Sequence, residues 1–170
     1  DQWQLALHFL QEMEEQQLRC SQITYNTAIS ACERGEQWEW ALHLLRESQE
    51  HQLFGDLITY NAGISACEKG KQWQRALQLL EEVMKREDLP QKGNVITYSA
   101  AISACEKGSQ WQYVFSLLAK MKNRQLQGNI ITYSAAISAC GRGQEWQHAL
   151  RLLTQLWDWH LEANVITYNA

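Results

Sequence analysis

The stretch VITYSAAISACEKGSQWQYVFSLLAKM, residues 95–121, has its counterpart in LITYNAGISACEKGKQWQRALQLLEEV, residues 57–83. The string Ile-Thr-Tyr recurs with its tyrosine at Tyr25, Tyr60, Tyr98, Tyr133 and Tyr168, at spacings of 35, 38, 35 and 35 residues. Tryptophan keeps the same beat at Trp3, Trp38, Trp73, Trp111 and Trp146, and cysteine does so at Cys32, Cys67, Cys105 and Cys140. Three residue types in one register mark an internal repeat. The units run 22–56, 57–94, 95–129 and 130–164, with partial units at 1–21 and 165–170, and positions are numbered from 1 within each unit.

In the first half of a unit the apolar residues fall at positions 4, 7, 8 and 11, as in Tyr25, Ala28, Ile29 and Cys32, the stripe of an amphipathic helix. Thr24, Thr59, Thr97, Thr132 and Thr167 precede that stripe as expected N-caps, and Gly35, Gly70, Gly108 and Gly141, with Gly143 nearby, supply the stop. From the tryptophan onward the pattern repeats, as in Trp38, Ala41, Leu42 and Leu45. Two such helices, A and B, cannot bury both stripes alone, so neighbouring units must stack. The expected fold is all-α, a right-handed α-solenoid of helix-turn-helix repeats. Arg86 to Gly93, containing Pro90, reads as an expanded loop of the second unit.

Composition narrows the function. Fifteen Lys plus Arg against nineteen Asp plus Glu leave a net charge of −4, which excludes a strongly basic surface, so any nucleic-acid binding must rest on a local stripe. No apolar run approaches the ~18 residues of a membrane span, and no membrane role is expected. The chain opens at Asp1 without a methionine or basic leader, as expected of a segment of a longer protein.

Several helical repeats have similar periods, and the motif decides among them. The W-x2-L-G-x2-Y opening of tetratricopeptide repeats is absent. The units resemble the pentatricopeptide repeat, which opens V-[IV]-T-Y-[NS], continues through a small and apolar run to a basic residue and glycine, and then reads A-L-x-L-[LF]-E-x-M. The resemblance covers all four full units. Departures are tryptophan at position 17 for the usual leucine, the three-residue insertion, and a terminal aspartate only at Asp56.

The resemblance implies sequence-specific binding of single-stranded RNA, one base per repeat, on transcripts of a mitochondrion or chloroplast. It implies that position 5 and position 35 contact the base edge, pairing Asn26 with Asp56, Asn61 with Asn94, Ser99 with Asn129 and Ser134 with Asn164, with Asn169 opening the last partial unit. It also implies that Ile23, Ile58, Ile96, Ile131 and Ile166 at position 2 pack on base faces. In the family's pattern asparagine at position 5 goes with pyrimidines and serine with purines. Aspartate at position 35 goes with uracil and guanine, and asparagine there with cytosine and adenine, since the amide both donates and accepts whereas the carboxylate only accepts. The implied run is U, then C or U, then A, A.

At 100° per residue, positions 2, 5, 9, 12 and 13 share one face of helix A, expected to be exposed. Position 13 is Arg34, Lys69, Lys107 and Arg142, a cation once per unit, as phosphate tracking needs. Position 12 carries Glu33, Glu68 and Glu106, so the face alternates in charge, and the competing explanation is a solvated, dipole-complementing helix end.

The periodic tryptophans lie on the buried stripe of helix B and are expected in the core, whereas Trp40, Trp157 and Trp159 fall outside the period. The four periodic cysteines lack the C-x2-4-C spacing of zinc sites and read as small core residues in a reducing compartment, with Cys20 unpaired. His8, His43, His51, His148 and His160 share no recurring spacing with a carboxylate or cysteine. No nucleotide-binding, nucleophile or metalloprotease motif is present, so no cofactor, metal or catalytic residue is expected.

The leading expectation is an RNA-binding adaptor. A protein-interaction scaffold is the second class, and the RNA-targeting module of an enzyme whose catalytic domain lies outside residues 1–170 is the third. A protein-binding groove gives no reason to restrict position 5 to asparagine and serine, whereas base readout does.

Overall fold

The computed structural model describes residues 2–53, 55–89 and 92–158. Among them there are nine α-helices and no strand: α1 (Gln2–Glu15), α2 (Gln22–Arg34), α3 (Trp38–Glu50), α4 (Leu57–Lys69), α5 (Trp73–Lys85), α6 (Val95–Lys107), α7 (Trp111–Asn123), α8 (Ile130–Arg142) and α9 (Trp146–Asp158). Helices α2, α4, α6 and α8 carry the Ile-Thr-Tyr segment and form the A wall, and α1, α3, α5, α7 and α9 form the B wall.

Each hairpin turn is set by the chain itself. Gly35, Gly70, Gly108 and Gly143 cap the A helices, so in the fourth unit the stop is Gly143, and Gly141 lies inside α8. The caps have φ between −76° and −84°, which any residue adopts. The next residue takes the left-handed conformation instead: Glu36, Lys71, Ser109 and Gln144. The following amide then donates back to a cysteine carbonyl, as in Gln37 N to Cys32 O at 2.9 Å and Gln72 N to Cys67 O at 2.8 Å.

Glycine is required at the cap by close approach. A Cβ on Gly35, Gly70, Gly108 or Gly143 would lie 2.5 to 2.9 Å from Cγ of Trp3, Trp38, Trp73 or Trp111 respectively. Each tryptophan therefore packs on the A-helix end of the next unit. This corrects the expectation of a wholly core tryptophan: these four are half-buried seals between units, and Trp146 is 64% exposed.

The expected threonine N-caps are also corrected. The cap residues are Ser21, Asp56, Asn94 and Asn129, whose side chains accept from the amides of Thr24, Thr59, Thr97 and Thr132. The threonines sit at the third helical position. Thr24, Thr97 and Thr132 return the bond to the cap amide, closing a capping box.

The core runs between the walls. Tyr25, Tyr60 and Tyr98, Ile29, Ile64 and Ile102, and all four periodic cysteines are almost completely buried. A fully buried isoleucine contributes roughly 1.5–3 kcal/mol. The small residues Ala28, Gly63, Ala66, Ala101, Ala104, Ala136 and Ala139 are buried as well, which lets each A helix lie directly against the A helices before and after it. Among the described residues the B-helix backbones stand farther apart and meet through side chains, as Trp73 with Tyr113 and Phe115 with His148. With one wall drawn together and the other spread, the A wall is the inner face of the solenoid.

Candidate nucleic-acid interface

Ile23, Ile58, Ile96 and Ile131 stand 76%, 67%, 60% and 59% exposed, one per A helix at the same register. Four β-branched aliphatic side chains at one helical position would be core residues if burial alone placed them. Here the buried stripe is satisfied by Tyr, Ala, Ile and Cys, and these isoleucines are left on the inner wall.

Beside them lies the polar seam. The expectation that position 5 is exposed fails in part: Asn26 and Asn61 are half-buried, and Ser99 and Ser134 are 5% and 9% exposed, because adjacent A helices close over this register. In the first three units the seam brings position 5 to the position-35 cap of its own unit. Asn26 Nδ2 donates to Asp56 Oδ1 at 3.4 Å, and Ser99 Oγ lies 3.5 Å from Asn129 Oδ1. Between Asn61 and Asn94 stands Thr97, whose hydroxyl is 2.7 Å from Asn61 Oδ1 and 3.0 Å from Asn94 Oδ1. The expected partners are thus adjacent, although 30 or more residues apart in sequence. Asn164, Ile166 and Asn169 lie outside the described residues.

Capping fixes the chemistry left at position 35. In Asn94 and Asn129 the Oδ1 atom accepts from the threonine amide at 3.0 Å, so the side chain offers outward its amide donor and not both groups. In Asp56 the same acceptor, Oδ1, receives Thr59 N at 2.9 Å, and the second carboxylate oxygen remains an acceptor. One helix-cap position therefore presents opposite hydrogen-bond polarity according to whether it holds Asn or Asp.

The cations at position 13 form a ladder across units. Lys69 Nζ lies 2.7 Å from Glu33 Oε1, Lys107 Nζ 2.9 Å from Glu68 Oε1, and an Arg142 guanidinium nitrogen 2.9 Å from Glu106 Oε1. Lys69 and Arg142 also donate to the backbone carbonyls of Glu33 and Glu106 at 3.0 Å. Burial pushes the Glu106 carboxyl above its ordinary value, and Arg142 opposes the shift. Arg34 has no acidic partner of this kind among the described residues.

Burial also pushes the thiols of Cys32 and Cys140 up to about 11 and those of Cys67 and Cys105 up to about 12, and all five cysteines are free. On the other wall Glu14, Glu47 and His51 bring one ligand-type atom each within 4.8 Å of one another. A hydrogen bond that the protonated Glu14 carboxyl donates to Glu47 is the main cause that raises its pKa. Sequence periodicity could not find this group, because it joins α1 to the end of α3 across two units and does not recur among the described residues. No described helix is long and apolar enough to cross a membrane.

Comparison with known proteins places these features. A crystal structure of the pentatricopeptide repeat protein PPR10 with an 18-nt psaJ RNA element matches 94% of the chain at TM-score 0.77 and 18% identity. The PPR10 crystal structure from maize matches 98% at TM-score 0.69 and 24% identity. The chain spans 23% of the length of PPR10 in both. The PPR domain of Arabidopsis thaliana protein-only RNase P 1, crystallised with tRNA, matches 98% of the chain and 86% of that domain at TM-score 0.83 and 13% identity. No curated protein sequence matches. Family models described as pentatricopeptide repeat domain (residues 43–107), PPR repeat family (residues 93–142) and PPR repeat (residues 23–53 and 131–159) run together without a gap from residue 23 to residue 159. With helical hairpins, register and motif in agreement, the chain belongs to the pentatricopeptide repeat family.

Proposed function

We propose that this chain is a sequence-specific single-stranded RNA-binding adaptor, reading one base per repeat with positions 5 and 35. The observation that carries the reading is the seam: in the first three units two polar side chains from distant parts of the sequence are brought together, directly or through Thr97, beside an exposed isoleucine suited to the face of a base. Splayed single-stranded bases offer both a face to pack and an edge to bond.

The base preferences follow from the polarity left by capping. The donor of Asn94 or Asn129 suits the ring-nitrogen acceptor on the Watson–Crick edge of cytosine or adenine, and the acceptor of Asp56 suits the ring N–H of uracil or guanine. At position 5 the short, recessed Ser99 and Ser134 leave room for a purine, and the longer Asn26 and Asn61 favour a pyrimidine. The units 22–56, 57–94, 95–129 and 130–164 thus read U, then C or U, then A, A. Arg34, Lys69, Lys107 and Arg142 serve the phosphates, the last three held in register by the glutamates of the preceding unit. Family membership supports an organellar transcript, in a mitochondrion or chloroplast.

A second reading, the targeting module of an enzyme, is favoured by the likeness to the PPR domain of a protein-only RNase P; the catalytic domain would then lie outside residues 1–170. Selection of bound molecules from a random RNA pool tests the base reading. Enrichment of a contiguous U-(C/U)-A-A is expected, and recovery of RNAs without a shared tetranucleotide would count against it.

A further inference from the structure

The threonine of the Ile-Thr-Tyr motif is buried, with Thr59, Thr97 and Thr132 at 1%, 0% and 0% exposed, yet its hydroxyl does more than cap its own helix. Thr97 Oγ1 accepts the Asn94 backbone N–H at 3.0 Å and lies 2.7 Å from Asn61 Oδ1. Thr59 Oγ1 donates to Asn26 Oδ1 and is 2.8 Å from Asp56 Oδ1. Thr132 Oγ1 is 2.6 Å from Ser99 Oγ and 2.9 Å from Asn129 Oδ1. In three consecutive units, one hydroxyl from the following repeat joins both members of a reading pair.

We infer that Thr59, Thr97 and Thr132 are positioning residues that set the hydrogen-bond polarity of the base-reading pairs, an inference that rests on the RNA reading proposed above. The physical argument is that a primary amide can turn over, exchanging its oxygen for its NH2 at little steric cost. Donation from the threonine hydroxyl to Asn61 Oδ1, the shorter of its two contacts, opposes this, because a turned amide would drive that single proton onto Asn94 Oδ1 at 3.0 Å, which already accepts Thr97 N. Asn61 is held with its oxygen inward and its donor left over for the base. At Ser99 the hydroxyl is committed to Val95 O at 2.7 Å, so a proton from Thr132 completes its inner side and leaves an acceptor lone pair. Because the threonine belongs to the next unit, each repeat reads its base only when the following repeat is docked.

The test uses the full chain and four short RNAs that differ only at the base facing the second unit, with affinity measured for each. Thr97→Val keeps the branched shape and removes the hydroxyl. It is expected to reduce discrimination at that base by roughly tenfold, the usual scale of one base contact, while leaving the other bases discriminated as before. Thr97→Ser restores the hydroxyl and is expected to restore the preference. Thr24→Val is the control, since Thr24 bonds the Ser21 cap but joins no reading pair among the described residues. If Thr97→Val does not fold, Thr132→Val read at the third base decides instead. Full discrimination in the valine variant overturns the positioning role alone. Absence of any base preference in the unaltered chain overturns the RNA reading, and the positioning role with it.

Discussion

Trp38 and Gly70 show how a single residue type can be dictated by a neighbour in another unit. The A-helix ends need no glycine for backbone reasons, since φ at Gly70 is −76°. What they need is the absence of a Cβ, which would stand 2.5 Å from Trp38 Cγ. Helix-end glycine is recognisable in the sequence, but its cause is not, because a stripe drawn on one helix does not show which side chain lands on the next hairpin. Gly70→Ala is expected to destabilise the protein by about 1–3 kcal/mol, the usual cost of overpacking a rigid contact. In Trp38→Ala the same change should cost far less. Urea unfolding of the two single variants and the double variant checks this: a non-additive cycle is the expected result, and additivity would dissolve the proposed seal.

The caps carry the same lesson for elements. Both Asn94 and Thr97 are capping residue types, and the apolar stripe alone placed the helix start near the threonine. The structure sets it at the asparagine, with the threonine closing the box. Position 35 therefore has two tasks, ending the inter-repeat loop and facing the proposed base, and substitutions should separate them. Asn94→Ala removes the cap and is expected to cost about 1 kcal/mol of stability as well as base preference. Asn94→Asp keeps a capping acceptor, so stability should hold within a few tenths of a kcal/mol while the preference of the second unit moves from cytosine toward uracil. Thermal unfolding and RNA competition on the two variants distinguish the tasks. An unchanged base preference in the aspartate variant would mean that position 35 only caps.

For the whole molecule, repetition made the fold legible: helix number, order and core register followed from a period near 35 residues and two amphipathic stripes per unit. Contacts between units were harder to read, because they depend on how far one hairpin is turned on the next. The ladder joining Glu33 to Lys69, Glu68 to Lys107 and Glu106 to Arg142 is such a contact, as is the burial of Ser99 and Ser134. The ladder has a consequence for binding. With three of the four position-13 cations facing glutamates and a net charge of −4, weak non-specific attraction to phosphate is expected on the proposed RNA reading, with selectivity carried by the paired side chains in the seam.

Changing one member of one pair probes that claim most directly. Asn61→Ser gives the second unit the position-5 residue of the third, with asparagine already at position 35 in both. Equilibrium competition between two short RNAs differing only at the second base is the measurement. The account predicts a move from cytosine toward adenine by about 1–3 kcal/mol, with no change at the other bases. An unchanged preference at the second base would contradict it, since Asn61 would then not face the RNA.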